Sequence, residues 1–583
     1  MKAHTFLLFL FFLWFNIYSQ DKELYLPLEY QKSYKNNTRS FSGNPGENYW
    51  QNKAVYNIEV EYNPATRKVK GKSNIVYKNN SPDQIFNIVL SNKQNLFKNG
   101  NIRDKSVDAR DINDGVQIEN IYINNEKNEL PDSLIEQSGT LMTIFLPFYL
   151  MPSETIEFDI AWSYILPLYT KIRTGVVDSN SAFIAYWFPQ IAIYDDISGW
   201  DMLQYDGFHE PNNEFSDFNV KIKVPDNYLV WATGTLQNYS ELLNDKFLSR
   251  YKQAIISDSI SHIIRANEIN EKISKNNPAN ENVWHFKAEN ISDFAFAVSK
   301  KSCWDITTIE NNQNERTIIQ SVYKPKSKYF TEAVELGKKT IEYLSEDYPA
   351  INYPFQQMTI FNGFGGMEFP MITNIRDCES RTELVFVISH EITHNYFPFY
   401  VGTNSMKYAW MDELWAMFLP KEFQLNEDTG CYSPANSVFC LSEYSGTSMN
   451  TPLMTPSVYM MGYEAAISSY YQPEMAFYFL RDIIGKETFE KALKEFINNW
   501  KYKHPSPYDL FYTFNRVSGK DLNWYWNDWF FEFGHPDLAI NNVELIDKKL
   551  NIKIENKGKL PLPVSLTIVL KNDTIIRYET AEI

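Results

Sequence analysis

Cysteine is nearly missing from this chain. Cys303, Cys378, Cys431 and Cys440 are the only four in 583 residues, which excludes a disulfide-built scaffold. Only Cys431 and Cys440 lie close in sequence. In an oxidising compartment the expectation is one bridge between them, and the alternative is four buried free thiols. Beyond the first twenty residues no apolar run is long enough to cross a membrane. Basic charge is in deficit: 55 Lys and Arg against 72 Asp and Glu leave a formal charge of −17. Such a surface argues against nucleic acid and against anionic membranes as partners. No internal repeat or biased tract interrupts the chain. Histidine is also rare, at eight residues.

The rest is the composition of a folded protein, 44% hydrophobic and 16% aromatic, which implies large cores or a groove that grips side chains. The length exceeds what a single core supports, so two to four domains are expected. At the N-terminus, Lys2 precedes an almost wholly apolar run from Thr5 to Tyr18, followed by polar Ser19, Gln20, Asp21 and Lys22. This reads as a secretory signal peptide spanning residues 1–20, and it predicts an exported protein, periplasmic or secreted. An uncleaved anchor is the alternative. No cysteine follows the cleavage region to mark a lipoprotein.

From residue 54 the pattern has period two. Tyr56, Ile58, Val60 and Tyr62 alternate with polar neighbours, Asn63-Pro64 breaks the run, and Val69, Gly71, Ser73, Ile75 and Tyr77 resume it. This predicts strand, turn, strand. Residues 219–225 and 282–298 read the same way, so 21–303 are assigned to an N-terminal β-sheet domain. After about 325 the rhythm turns helical, with Ala333, Leu336, Ile341 and Leu344 at helical spacing. Residues 353–372 read as strand with a glycine-rich interruption. Further helices follow, and from Leu538 the chain returns to strand. The division is 304–536 for a catalytic domain and 537–583 for a short C-terminal β segment.

Within the greasy stretch after Leu384 comes "SHEITHNYF", Ser389 to Phe397. Residues four apart on a helix differ by about 40° around its axis, so His390 and His394 present their imidazoles to one point. That suits two ligands of one zinc ion, with Glu391 placed to reach a water without binding the metal. With eighteen residues between it and His394, Glu413 stands in "YAWMDELWAMFLP" beside an apolar face formed by Met411, Leu414, Trp415 and Phe418. A carboxylate buried there needs a strong partner, and a divalent cation is one.

H-E-x-x-H, eighteen residues and then E in a W-x-x-E context resembles the aminopeptidase N family of zinc metallopeptidases. "FGGMEFP" (364–370) resembles that family's G-x-M-E-N motif, in the G-G-M-E-F/Y-P form of a bacterial branch. The likeness runs from about residue 50 to 540, through "YYQPEMAFYFLRDIIGKETF" and "WFFEFGHPDL". It implies a multidomain α+β protein with an N-terminal β-rich domain, a thermolysin-like zinc catalytic domain and a short C-terminal β segment. It implies one Zn2+ held by His390, His394 and Glu413, with Glu391 as general base. It also implies that Glu368 grips the free α-amine of a peptide, that Gly365 and Gly366 lie along its backbone, and that Tyr470 (or its neighbour Tyr471) assists catalysis. Gln190 in "WFPQIA" is matched to an amine-holding glutamine of the N-terminal domain. The implied function is removal of the first residue from peptides with a free N-terminus. Alternatives are an endopeptidase or an epoxide hydrolase on the same site, or a catalytically weak zinc-bearing peptide-binding protein. Departures from the family are Leu414 where glycine is usual, Trp415 after it, and Phe369 in place of Asn; bulk there would narrow the pocket or tilt Glu413.

Overall fold

The computed structural model describes residues 23–569, apart from 127, 276 and 548, together with 575–580. The leader read in residues 1–20 lies outside the described residues. The architecture is mixed α+β, with a β-rich N-terminal part, a helical part and two terminal β-hairpins. No helix among the described residues is long and apolar enough to cross a membrane.

The period-two stretches form the expected strands, Lys53–Asn63 and Lys68–Lys78, paired antiparallel with Tyr56 opposite Ile75. Tyr56, Ile58, Val60 and Tyr62 are all buried on one face. The Asn63 carboxamide accepts the Ala65 and Thr66 N–H groups, which fixes the turn between the strands. These strands are central to a seven-stranded sheet. Ser216–Pro225 runs parallel to the first of them, and Thr155–Ile165 runs antiparallel to the second.

A six-stranded sheet carries the site. Its order is Ser261–Ile264, Cys303–Glu310, Arg316–Tyr323, Gln357–Asn362, Ile372–Ile375 and the edge strand Glu368–Phe369. One strand of this sheet therefore comes from before residue 303. The helix Ala333–Glu346 lies against the sheet at Gly337, where an added Cβ would sit 2.5 Å from Ile360. Glycine lets helix and sheet approach this closely.

The N-terminal stretch also departs from a simple division at 303, because it is fastened to the helices near the C-terminal end. Tyr30 packs on Tyr508 at 4.9 Å between ring centres, and Trp500 donates to the Gly43 carbonyl. Arg39, only 1% exposed, bonds both carboxylate oxygens of Asp196 (3.0 and 2.9 Å), Asp509 (2.5 Å) and the His504 carbonyl. Removing one member of a buried ion network leaves uncompensated charge. Arg39→Ala is expected to cost about 3–5 kcal/mol, read as a lower urea midpoint. A midpoint matching wild type would show that the network contributes nothing net.

All four cysteines are free thiols, so the expected Cys431–Cys440 bridge is not formed. Cys431 is buried against the Thr382 carbonyl, at the start of the helix Arg381–Thr393, whereas Cys440 lies within the helix Pro434–Tyr444 beside Tyr471.

Candidate metal centre and substrate cavity

The helix Arg381–Thr393 begins where the Ser380 hydroxyl accepts the Glu383 N–H at 3.1 Å. Leu384, Val385, Ile388 and Ile392 bury it in the core. It ends at His394, so both histidines occupy its last turn. Glu413 comes from a second buried helix, Trp410–Phe418, packed across the first.

His390 Nε2 and His394 Nε2 lie 3.3 Å apart, and Glu413 Oε2 is 3.2 Å from the first and 3.5 Å from the second. Four ligands at about 2.0–2.1 Å from a tetrahedral zinc stand about 3.3–3.4 Å from one another, so the three atoms match one face of such a shell. Their chemistry agrees. His394 Nδ1 faces the Phe397 carbonyl at 3.0 Å and Asp412 Oδ1 at 2.6 Å. That keeps its proton on Nδ1 and turns the Nε2 lone pair inward. Lone pairs converging in a buried pocket repel unless a cation sits among them. Burial works against the charged form of Glu413, but the adjoining His390 and His394 side chains outweigh it and hold the carboxyl below the usual range. The residues present fit a zinc ion.

Glu391 is buried beside this triangle, and burial pushes its carboxyl up to about 7 against the opposing pull of His390 and His394. Its Oε2 has no hydrogen-bond partner among the described residues. Gly366 faces it so closely that an added Cβ would lie 2.9 Å from Glu391 Oε1 and displace that side chain. Tyr470 is carried on a π-helical turn, Ile467–Tyr471, an irregularity frequent at functional sites. Its hydroxyl donates to Glu413 and its ring stacks on His390 at 6.3 Å. Tyr471 also borders the cavity but its hydroxyl is engaged with Cys440. Between the two tyrosines, the geometry places Tyr470 at the metal ligands.

These groups line one cavity of about 550 Å³, which Glu368 and Glu210 also border. Burial, and then the charge of Glu210, raise the Glu368 carboxyl well above its ordinary range, and the two side chains are hydrogen-bonded. Glu210 is fixed in turn by Arg173 Nη2 at 3.0 Å, a guanidinium that also holds the Gly207 and Phe208 carbonyls. His209, in the same loop, ties Asp206 at 2.5 Å to the Met460 carbonyl at 3.2 Å.

Gln190 is a correction. It is 2% exposed and does not border the cavity; its amide donates to Ser292 O and accepts from Lys93, both at 2.8 Å. Glu210, from a loop whose sequence signal is an acidic residue in "GFHEP", lines the cavity beside Glu368 instead. Gly365 is set back from the cavity, its carbonyl taking the Arg376 N–H at 2.6 Å. The bulky departures also lie outside. Leu414 and Trp415 are fully buried, the indole packed on Phe397 and Phe477, and Phe369 points away to Phe183 and Tyr186. They fill the core behind Glu413 and leave the cavity open.

Two packed helices carrying an H-E-x-x-H triangle with a distant glutamate, beside an edge strand with its own buried glutamate, make up a candidate metal site. More narrowly, residues 332–529 match the model of the Peptidase family M1 domain. It is 23% identical to a leukotriene A-4 hydrolase homolog of Botryotinia fuckeliana over 43% of this chain and 42% of that protein. It is 22% identical to aminopeptidase N of Lactococcus lactis over 48% of this chain and 36% of that protein. The matched stretch thus spans less than half the length of these curated relatives. Among solved structures, an M1 zinc metallopeptidase from Deinococcus radiodurans superposes with a TM-score of 0.55 at 12% identity, covering 85% of this chain and 98% of that one. Legionella pneumophila aminopeptidase A in complex with aspartic acid gives 0.61 at 14%, covering 91% and 56%. These likenesses establish the fold.

Proposed function

We propose that this protein is a zinc-dependent aminopeptidase that cleaves the first peptide bond of peptides with a free N-terminus, using one zinc ion. The observation that carries the reading is the triangle of His390, His394 and Glu413 donor atoms, 3.2–3.5 Å apart, with Glu391 beside it. When bound, the ion supplies Lewis acidity toward water and the peptide carbonyl. Glu391 takes the proton of the attacking water and later delivers it to the leaving amine. The Tyr470 hydroxyl stabilises the developing oxyanion, a role whose loss typically costs about 3–4 kcal/mol of barrier. Asp412 orients His394 through Nδ1. The apolar run of residues 5–18 supports export to the periplasm or beyond.

Trimming one residue at a time follows from the carboxyl pair bordering the cavity. Glu368 and Glu210 share a buried hydrogen bond that an incoming ammonium can replace with two charge-assisted ones. The edge strand Glu368–Phe369 offers free backbone groups to a substrate in extended form. Glu368→Ala is expected to lower kcat/KM for unblocked peptides by about 100-fold, with little change for N-acetylated ones. Equal loss on both would remove the amine-holding role, and efficient cleavage of blocked peptides by the wild type would favour an endopeptidase.

A further inference from the structure

Part of the cavity lining comes from a weakly charged stretch of the chain. Cys431 through Tyr463 carries a single charged side chain, Glu443, in a chain that is 22% charged. Its large side chains are not all used in packing. Phe439 is 65% exposed, Tyr459 78% and Tyr463 64%. The stretch is firmly seated, because Leu441 forms a small core with Ile467 and Met475 under the Tyr470 turn, and Tyr463 stacks on Tyr444 at 5.3 Å. Exposed aromatic surface of this kind marks a place where something apolar binds.

The stretch that carries these aromatics also reaches the cavity. The same stretch contributes Tyr432, Ser457 and Gly462 to the cavity lining. Direction follows from the reading above, on which this inference rests. With the substrate amine at Glu368, the chain beyond the cleaved bond runs back along Met367 and Gly366. Gly366 abuts Val387, where an added Cβ would be 3.0 Å away, and the neighbouring Phe386 touches the Tyr432 ring at 5.8 Å. On that reading the exit path leads toward Tyr432, at the start of this weakly charged stretch.

We propose that residues 431–463 form a docking shelf for the apolar and aromatic residues that follow the cleaved bond. The protein on this view favours peptides apolar beyond their first residues over charged ones. The shelf adds binding that a substrate ending at the first residue cannot use.

The test compares zinc-loaded wild type with the double variant Tyr459→Ser, Tyr463→Ser on three substrates. These are leucine amide, a hexapeptide with Phe and Leu at its last four positions, and one with Ser and Glu there. The wild type is expected to prefer the apolar hexapeptide by about tenfold in kcat/KM. The variant is expected to lose that preference and to keep its leucine amide turnover. The Tyr459→Phe, Tyr463→Phe pair is expected to retain the preference, which separates a docking loss from damage to the fold. Equal turnover of both hexapeptides by the wild type, or a preference that survives in the serine variant, overturns the shelf. So does self-association of wild type in sedimentation that the serine pair abolishes, since the occupant is then a second copy. Absence of turnover on all three substrates instead indicts the aminopeptidase reading.

Discussion

Glu391→Gln is expected to keep its zinc and its melting temperature while losing turnover by about a thousandfold or more. The substitution changes shape very little. Glutamine fits the space beside Gly366 and is one atom type away from the native side chain. What it lacks is a group that can accept a proton from water and pass it on. Burial has already moved the Glu391 carboxyl up to about 7, the range in which a base both takes and returns protons near neutrality. The ligands His390, His394 and Glu413 are untouched, so bound zinc, counted by elemental analysis, should match wild type. Activity within tenfold of wild type at full zinc occupancy would exclude Glu391 as the base.

Removing the metal is expected to abolish turnover and lower the melting temperature by a few degrees, and added zinc is expected to restore both. The stabilisation is ordinary linkage: an ion that binds only the folded state stabilises it in proportion to the logarithm of its concentration over Kd. The structural reason is the triangle itself. Two imidazole nitrogens and a carboxylate oxygen 3.2–3.5 Å apart, all in buried side chains, repel when nothing positive lies between them. Glu413→Gln removes the only anion of the three and is expected to weaken zinc binding beyond the roughly 10–100-fold typical of losing an outer partner. Turnover and melting indifferent to chelator, with no zinc found in the protein, would remove the ion from the account.

Much of this was legible in advance, for local reasons. Tyr56, Ile58, Val60 and Tyr62 fall on one face because a strand alternates. His390 and His394 fall together because a helix repeats every 3.6 residues. Glu413 was reached by its spacing and by the oddity of an acid beside an apolar helical face. The misses were long-range. Gln190 has the right residue type in a likely-looking motif, yet the fold uses its amide between Lys93 and Ser292. Glu210 has no periodic or spacing signal, and only the Arg173 clamp brings it to Glu368. Cys431 and Cys440 are close in sequence but are held by different partners.

Backbone periodicity and side-chain chemistry within a few residues were enough to determine the strand pairs, the histidine helix and the kind of ion it suits, because those relations are set by bond geometry alone. Which acid faces Glu368, which tyrosine meets the ligands, and where the bulk of Leu414 and Trp415 goes were decided only when sheets and helices packed, because each depends on contacts between segments tens to hundreds of residues apart.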